Sequence, residues 1–322
     1  MNKNLLSEIC QKYDFGKPTE EPYPVSGGLI HKIWHIRTNK GQFVVKVLDS
    51  EIMKRPNIVE SFELSEKIAR ELKDKGIAAI TGLIIEGKAV QNLSEYHVIV
   101  YEWIEGLTLP TSAAQPAQAF LIGKIIGEIH RINLKESHLQ SEGLNIFSDH
   151  HWGSLITTYK ESFPKEEFNF DVIQQWNKNA KTISEKMASN VVVSHGDIDQ
   201  KNVIWKDDQA PFIIDWEGAS ETNAGLEIMD AALNWSGLVS GTIVEESMKA
   251  LIDGYKSTGM AIKESTSDLL EACILKWLNW LEFNMQRAVK SPKNSDEQKL
   301  SVSQVKNTLR NIDLISSCRS NK

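Results

Sequence analysis

The sequence has few cysteines and no long apolar run, and both absences exclude classes of protein. Its three cysteines, Cys10, Cys273 and Cys318, lie far apart. They therefore predict neither a disulfide framework nor a zinc knuckle, and they favour the cytoplasm. No stretch of about 18 apolar residues occurs. The amino terminus is charged again at Lys3 and Glu8, too early for a signal peptide, so we expect no membrane span.

Basic residues are not concentrated in any block either. The formal net charge is -7, from 36 Lys and Arg against 43 Asp and Glu. Because neutralising nucleic-acid phosphates requires a basic face, we expect no nucleic-acid partner. A composition of 41% apolar and 25% charged residues allows a sizeable core in two domains or one large bilobed domain. The assembly we expect is a monomer or a homodimer.

Short apolar runs separated by turns dominate the N-terminal third. The predicted elements are a helix over 4–13, strands over 31–38, 42–48, 82–86, 88–91 and 96–101, and a helix over 57–75. Gly41 suits the turn of a β-hairpin, and Gly76 suits the end of the second helix. After Gly106 the pattern changes to helices over 116–132, 151–162 and 170–188. This change predicts an N-terminal lobe over 1–101, a hinge over 102–106 and a C-terminal lobe over 107–322.

A glycine pair precedes the predicted hairpin. Ser26, Gly27 and Gly28 would let backbone N–H groups approach an anion closely. A tight turn without a ligand would explain the same residues.

Lys46 stands out among the strand residues. Strand alternation places it on the face shared with Val44 and Leu48, where an ammonium needs a phosphate or a carboxylate. On a half-exposed sheet it would simply reach solvent. Glu66 on the helix over 57–75 is the first choice of partner and Glu63 the second, with a solvated acidic helix face as the alternative.

Polar side chains follow apolar runs in the C-terminal half. A predicted strand over 191–194 runs into Asp197, Asn202 opens the next strand, and the run 212–214 places Asp215 at its carboxyl end. These three side chains can converge at one edge. The alternative is that the acids only cap strands and satisfy loops.

Such a set suits phosphoryl transfer, which needs positioning and charge neutralisation more than covalent help from the protein. Asp197 can accept the proton of a substrate hydroxyl. Asn202 and Asp215 offer hard oxygen ligands for Mg²⁺, and Lys46 would hold the α and β phosphates.

The motifs H-G-D-x4-N (195–202) and I-I-D-W-E (213–217) resemble the aminoglycoside phosphotransferase and choline kinase family. The resemblance extends over most of the chain. Residues 26–28 are similar to the family's short nucleotide loop, Lys46 to its phosphate-binding lysine, and 101–106 to its hinge. It implies an α+β, bilobed protein-kinase-like fold with a small antiparallel-sheet nucleotide-binding lobe and a larger, mainly helical catalytic lobe. The nucleotide site would comprise Ser26, Gly27, Gly28, Lys46 and Glu66, with adenine bound by the backbone of Glu102 and Ile104.

The resemblance also implies a reaction: ATP-dependent phosphorylation, with Mg²⁺, of a hydroxyl on an aminoglycoside-like or other small hydroxylated acceptor. GTP is the alternative nucleotide. The sequence lacks the full G-x-G-x-x-G loop and an A-P-E segment, which favours a small molecule over a protein substrate. A housekeeping kinase for choline, methylthioribose or homoserine is the alternative, and an inactive nucleotide-binding protein is a further one. Glu217, Glu221 and Glu282 would suit a cationic acceptor in either kinase.

Five further residues carry weaker expectations. His195 is expected to brace the catalytic loop. Asp199 is expected to point into solvent, with the alternative that it adds negative charge favouring a cationic acceptor. Lys201 lies near the expected site of transfer. By position in the family's substrate lobe, Glu282 and Asn284 are candidates for contacts with the acceptor.

Overall fold

The computed structural model describes residues 1–25, 30–135, 144–166, 168–207 and 210–320. Contacts divide the chain into two compact units. The first unit is Met1–Pro110 with His195–Ala219, and the second is Thr111–Ser194 with Ser220–Lys322. The segment that contains Asp197, Asn202 and Asp215 thus belongs to the same unit as the N-terminal strands.

The elements are numbered in chain order. The strands are β1 (Tyr23–Pro24), β2 (Lys32–Thr38), β3 (Gly41–Val47), β4 (Gln91–Leu93), β5 (Tyr96–Glu102), β6 (Leu107–Thr108), β7 (Val191–Ser194), β8 (Val203–Trp205), β9 (Pro211–Ile213) and β10 (Ser220–Asn223). The helices are α1 (Lys3–Lys12), α2 (Ile58–Asp74), α3 (Pro116–Ile132), α4 (Asp149–Ser162), α5 (Asp171–Asn177), α6 (Ala180–Met187), α7 (Ala224–Trp235), α8 (Glu245–Ser257), α9 (Thr266–Lys290) and α10 (Asp296–Ser320).

The first unit contains a five-stranded antiparallel sheet in the order β1-β2-β3-β5-β4. Successive side chains of β3 point to opposite faces. Val45 packs with Ile9 of α1 in one apolar cluster, whereas Leu48, just after the strand, packs with Phe62 of α2 in another. Lys46 shares the face of Leu48, as predicted, and lies between Ile33 and Ile99 in the sheet register.

Helix α2 covers that face because its apolar residues recur at helical spacing. Phe62, Ile68, Ala69 and Leu72 are all buried. Burying a side chain such as Ile68 or Leu72 contributes about 1.5–3 kcal/mol. The chain leaves the helix through Gly76, whose φ of +96° suits glycine.

The strands predicted over 82–86 and 88–91 are wrong. Residues 82–90 form an isolated bridge between Ile85 and Lys88 in place of two strands, and β4 begins at Gln91. Glu86 and Gly87 both have positive φ, 53° and 79°, so the chain reverses after Ile85. Conformations of that kind end a strand.

A second, three-stranded sheet in the first unit supports residues 195–217, the predicted catalytic segment. Its order is β6-β8-β9 and its pairs are antiparallel. Ile213 of β9 also donates its N–H to the carbonyl of Ala78 at 2.8 Å, and its carbonyl accepts from the N–H of Ile80 at 2.9 Å. The strand that leads to Asp215 is therefore hydrogen-bonded to the segment that follows α2.

The second unit is mainly helical, with β7 and β10 paired as a two-stranded antiparallel ribbon. The helix predicted over 116–132 has the bounds of α3, whereas the one predicted over 170–188 is two helices, α5 and α6. The core is built around α9 and includes Trp152, Tyr159, Ile274 and Leu278. Of the helices that the structure describes, none is both long and apolar enough to cross a membrane.

Candidate active site

His195 joins the two halves of the catalytic segment. Its ring is fully buried, and its Nδ1 accepts the N–H of Asp197 at 3.2 Å. That contact assigns the ring proton to Nε2, which donates to the carbonyl of Ile214 at 2.9 Å. Gly196 turns the chain between them with φ +80°. Both ring nitrogens are occupied by backbone groups, so His195 braces the loop, as expected.

Asn202 fixes the carboxylate of Asp197. Its Nδ2 donates to the Asp197 carbonyl at 2.9 Å and to Asp197 Oδ2 at 3.0 Å. The backbone carbonyl of Asn202 in turn accepts the N–H of Ile214 at 3.0 Å. The side chain of Asp197 is 52% exposed, so Oδ2 is held inside the loop and Oδ1 remains for a substrate. For Asn202, Oδ1 is the oxygen that remains for a cation.

Asp215 adopts a left-handed backbone conformation, with φ 63° and ψ 59°. This costs a non-glycine residue about 1–2 kcal/mol, and strained residues of this kind cluster at functional sites. Its Oδ1 lies 2.6 Å from Nζ of Lys46.

The Lys46 ammonium is buried between two carboxylates. Besides Asp215, it donates to Glu217 Oε2 at 2.5 Å. Burial alone would lower the pKa of Lys46, but the charges of Asp215 and Glu217 outweigh burial and raise it.

The sequence did not predict Glu217 as a partner of Lys46. Its Oε2 also lies 3.2 Å from Nε2 of His31, whose Nδ1 accepts the N–H of Asp49. Burial raises the pKa of Glu217, but the hydrogen bond from His31 and the charge of Lys46 more than offset this and lower it to about 2. The one signal in the sequence is its position two residues after Asp215, which does not specify a lysine partner.

The predicted pairing of Lys46 with Glu66 is wrong. The Glu66 carboxylate accepts the N–H of Gly82 at 2.6 Å and the hydroxyl of Tyr101 at 2.8 Å. A Cβ at position 82 would lie 3.1 Å from Glu66 Oε2 and 2.7 Å from Cγ2 of Ile99, so this approach requires glycine. Burial raises the pKa of Glu66.

Glu63, the second choice, does not pair with Lys46 either. Its carboxylate accepts the N–H groups of Ala89 and Val90 at 3.1 and 2.8 Å. Both glutamates of α2 therefore hold the backbone that follows the helix, and the buried lysine is neutralised by acids of the catalytic segment.

Glu102, a residue of the predicted hinge, has backbone polar groups that point away from β3 and are oriented to bind a ligand. Trp103 donates its N–H to the carbonyl of Gln42 in β3, and Leu83 donates to the carbonyl of Val100 on the opposite edge of β5. Because backbone groups alternate along a strand, the N–H and carbonyl of Glu102 point in the same direction as those of Val100, away from β3. Ile104 lies beyond the end of β5, in a segment without regular secondary structure. The predicted loop residues Ser26, Gly27 and Gly28 lie outside the described residues.

Asp199 does not point into solvent, so that expectation is wrong. Its side chain is 19% exposed, and its Oδ2 lies 3.0 Å from Nζ of Lys201. Its Oδ1 accepts the backbone N–H of the same lysine at 3.0 Å. Burial and the charge of Asp197 raise the pKa of Asp199. The pKa of Lys201 is raised as well, because the two carboxylates outweigh the effect of its burial.

The sequence profile of the Phosphotransferase enzyme family (APH) matches residues 23–260, more than half of the chain. The chain belongs to this phosphotransferase family. It is a phosphotransferase. No curated protein sequence matched the chain.

Solved structures show the fold of this phosphotransferase. Spectinomycin phosphotransferase APH(9)-Ia, in complex with ADP and spectinomycin, aligns with a TM-score of 0.67 at 18% identity, over 92% of each chain. Choline kinase LicA from Streptococcus pneumoniae aligns with 0.66 at 14% identity, over 96% of this chain and 99% of its own. The amicoumacin kinase hAmiN, in complex with AMP-PNP, Ca²⁺ and Ami, aligns with 0.61 at 12% identity, over 96% of each chain. The predicted protein-kinase-like fold class is confirmed.

The acceptor candidates of the second unit differ in accessibility. Asn284 is fully buried, and its Nδ2 donates to the carbonyl of Trp280, so it faces the core and is not available to an acceptor. The side chain of Glu282 is largely buried; it lies 2.9 Å from Nε2 of His151 and accepts from Gln286.

Replacing Glu217 with glutamine should flatten the acid limb of the stability profile. A carboxyl whose pKa falls on folding from 4.5 to about 2 stabilises the native state above pH 4.5. That contribution is lost as the pH falls from 4.5 towards 2. For Glu217→Gln we expect a lower free energy of unfolding at pH 7 and a shallower decline between pH 4.5 and 2, measured by urea unfolding.

The matched control is Glu51→Gln, which removes a surface glutamate that lies 2.6 Å from Lys54. Exposed pairs of this kind contribute little, so its profile should follow the parent protein. A Glu217→Gln profile parallel to that of the parent over the whole pH range would contradict the assigned pKa.

Proposed function

We propose that this phosphotransferase moves the γ-phosphoryl group of ATP, with Mg²⁺, to a hydroxyl of a small acceptor, with Asp197 as the base. The observation that carries the proposal is a series of contacts within one unit: Asn202 holds the half-exposed carboxylate of Asp197, its backbone carbonyl accepts the N–H of Ile214, and the next residue, Asp215, pairs with Lys46. Asn202 Nδ2 lies 3.0 Å from Asp197 Oδ2, and Lys46 Nζ lies 2.6 Å from Asp215 Oδ1. Because the proposed adenine contacts at Glu102 and Ile104 are made by backbone groups, GTP is the alternative nucleotide.

Asp197 supplies the proton acceptor. Its Oδ1 receives the proton of the acceptor hydroxyl as the hydroxyl oxygen forms a bond to the γ-phosphorus. The bond from that phosphorus to the β–γ bridging oxygen breaks, and its electron pair leaves with ADP. Asn202 keeps the carboxylate in one orientation throughout.

The oxygens of Asn202 and Asp215 fit a magnesium ion. Asp215 Oδ1 is engaged by Lys46, which leaves Oδ2, and Asn202 retains Oδ1 because its Nδ2 is bound to Asp197. The described residues contain no cluster of three His, Cys, Asp or Glu with metal-binding geometry. That result accords with a site of one or two protein ligands completed by substrate phosphates. Held by Asn202 and Asp215, such an ion would supply positive charge that neutralises the phosphates.

The nucleotide would lie along the first unit. Lys46 would contact the phosphates, Glu102 and Ile104 would bind adenine through their backbone, and residues 26–28 would form the loop over the phosphates. The complexes of spectinomycin phosphotransferase with ADP and of the amicoumacin kinase with AMP-PNP and Ca²⁺ support a nucleotide and a divalent ion. Glu66, which binds Gly82 and Tyr101, would position this site without touching the nucleotide.

The acceptor we propose is aminoglycoside-like or another small hydroxylated molecule. The similar phosphotransferase was solved with spectinomycin. The second candidate is a metabolite kinase of the choline, methylthioribose or homoserine type, favoured by the alignment with choline kinase over nearly the whole of both chains. An inactive nucleotide-binding protein has less support, because Asp197, Asn202, Asp215 and Lys46 are all present.

We place the reaction in the cytoplasm and exclude nucleic acid as a partner. Cys10 and Cys273 are buried free thiols, as is usual where thiols stay reduced. A net charge of -7 without a basic block supports a small diffusible acceptor. Light scattering after size exclusion would show whether the protein is a monomer or a homodimer.

A panel of acceptors tests the proposal by Mg²⁺-dependent release of ADP. We expect one acceptor class to raise ADP release at least about 10-fold over hydrolysis by water, with phosphorus NMR showing a phosphate ester. The panel should contain aminoglycosides, spectinomycin, choline, methylthioribose and homoserine. Each active acceptor should be matched with its deoxy analogue, which should give no ester. Tight nucleotide binding without turnover for any acceptor would favour the inactive protein.

A further inference from the structure

A lysine and an aspartate of the catalytic segment form a charged cluster with the proposed base. Lys201 Nζ lies 3.3 Å from Asp197 Oδ2 and 3.0 Å from Asp199 Oδ2. We propose that Lys201 is a catalytic residue whose ammonium contacts the transferred phosphoryl group, and that Asp199 is the positioning residue that holds it. The inference rests on the proposed function.

Asp199 binds both ends of Lys201. Its Oδ1 accepts the backbone N–H of Lys201, while its Oδ2 faces the ammonium of the same residue. Its own backbone is fixed as well, because its N–H donates to the carbonyl of Asp197 and its carbonyl accepts the N–H of Asn202. Because the Asp199 carboxylate is largely buried and bonded to the backbone N–H of Lys201, it limits the positions that the Lys201 side chain can adopt.

The ammonium has capacity beyond these contacts. A lysine carries three N–H donors, two of which face Asp197 and Asp199, and its side chain is 44% exposed. The pair of Lys201 with Asp197 is half-exposed on both sides, and exposed ion pairs contribute little to stability. The turn over Gln200–Asn202 is already capped by Asp199 through the backbone N–H of Lys201. Stability therefore does not explain why an ammonium lies at the base.

The chemistry of the transfer does require a cation at this place. Negative charge spreads over the equatorial oxygens of the transferred group. Lys46, Asn202 and Asp215 are assigned to the nucleotide side of that group. Because Asp197 binds the attacking hydroxyl, a cation within hydrogen-bond distance of its carboxylate is close to the acceptor side. Lys201 stays protonated throughout: the hydroxyl proton goes to Asp197 and the electron pair of the broken P–O bond leaves with ADP.

Three variants test these roles by steady-state kinetics with the acceptor found in the panel. Lys201→Met keeps the length of the side chain and removes its charge. We expect it to lower kcat about 100-fold, as for the loss of one charge-stabilising donor, with KM for ATP and acceptor within about 3-fold of the parent. Lys201→Arg should recover kcat to within about 10-fold. Asp199→Asn should lower it about 10-fold, because the lysine loses its charged partner.

The matched control is Lys206→Met, which removes an exposed lysine of the same segment and should leave kcat unchanged. ADP affinity by calorimetry and Tm should be the same in all four variants. A kcat for Lys201→Met within about 3-fold of the parent would overturn the inference. Equal losses in Lys201→Met and Lys201→Arg, with a lowered Tm, would overturn it as well and make Lys201 structural.

The parent protein separates this inference from the proposed function. Acceptor-dependent turnover in the parent with normal kcat in Lys201→Met removes only the role of Lys201. Absence of both phosphotransfer and ATP hydrolysis in the parent would overturn the proposed function and the role of Lys201 with it.

Discussion

Asparagine at position 197 is expected to lower kcat about 1,000-fold, which corresponds to about 4 kcal/mol in the transition state. Asp197→Asn keeps the shape of the side chain and an oxygen for the bond from Asn202 Nδ2, now 3.0 Å long. It removes the proton acceptor. Because Asp197 is not among the proposed nucleotide contacts, KM for ATP and the affinity for ADP should change less than about 3-fold.

A carboxylate of the second, mainly helical unit provides the control for Asp197→Asn. Asp296 is fully exposed and lies 3.4 Å from Lys299, so Asp296→Asn should leave kcat and Tm unchanged. If Asp197→Asn turned over within about 10-fold of the parent, another group would have to accept the proton. A large rise in KM for ATP with unchanged kcat would instead assign Asp197 to nucleotide binding.

Asparagine at position 215 should produce a loss of similar size with a different signature. Asn tolerates the left-handed backbone of this position, φ 63°, better than most residues. The variant therefore isolates the loss of the carboxylate. We expect kcat to fall about 1,000-fold. The Mg²⁺ concentration for half-maximal activity should rise at least about 10-fold, since one of two proposed metal ligands is weakened.

Calorimetry gives a measurement for Asp215→Asn that is independent of turnover. The enhancement of ADP binding by Mg²⁺ should be reduced, while binding without Mg²⁺ should be retained, because Lys46 keeps Glu217 at 2.5 Å. Asp215→Ala is the less informative variant, since alanine is strained at positive φ and a folding defect would be confounded with metal loss. An unchanged Mg²⁺ dependence in Asp215→Asn would remove Asp215 from the metal site.

Much of the fold follows from local patterns in the sequence. The helices α2 and α3 and the strands β2, β3 and β5 lie within a few residues of their predicted bounds, because each carries a clear helical or alternating apolar spacing. The same alternation placed Lys46 on the face of Leu48. One failure has a local cause, because the positive φ values at Glu86 and Gly87 end the predicted strand. The other failure is the break between α5 and α6, which has no strong sequence signal.

The candidate site was predictable in its members and less so in its pairings. Asp197 and Asn202 are in contact, and Asp215 is bound to a buried lysine, as residues that end or open neighbouring strands would allow. The partner of Lys46 could not be read from the sequence. Glu66 and Glu217 are both acidic, and which of them reaches the ammonium depends on the hydrogen bonds that Glu66 makes to Gly82 and Tyr101.

Asp199 and Asn284 show the same limit of local patterns. A polar residue in a short loop is usually solvated, yet Asp199 is held against Lys201. Asn284 follows the exposed Phe283 on α9, yet it is fully buried. Tertiary contacts decide both cases, and they are not encoded in the spacing of nearby residues.

The contacts of Glu66 have a consequence for motion. One carboxylate connects α2, the segment at Gly82 and Tyr101 near the end of β5, and a buried, fully bonded group resists separation of its partners. These three parts should therefore move as one rigid body. A rotation of α2 would displace the backbone at Glu102, and the indole of Trp103 next to it would report that displacement.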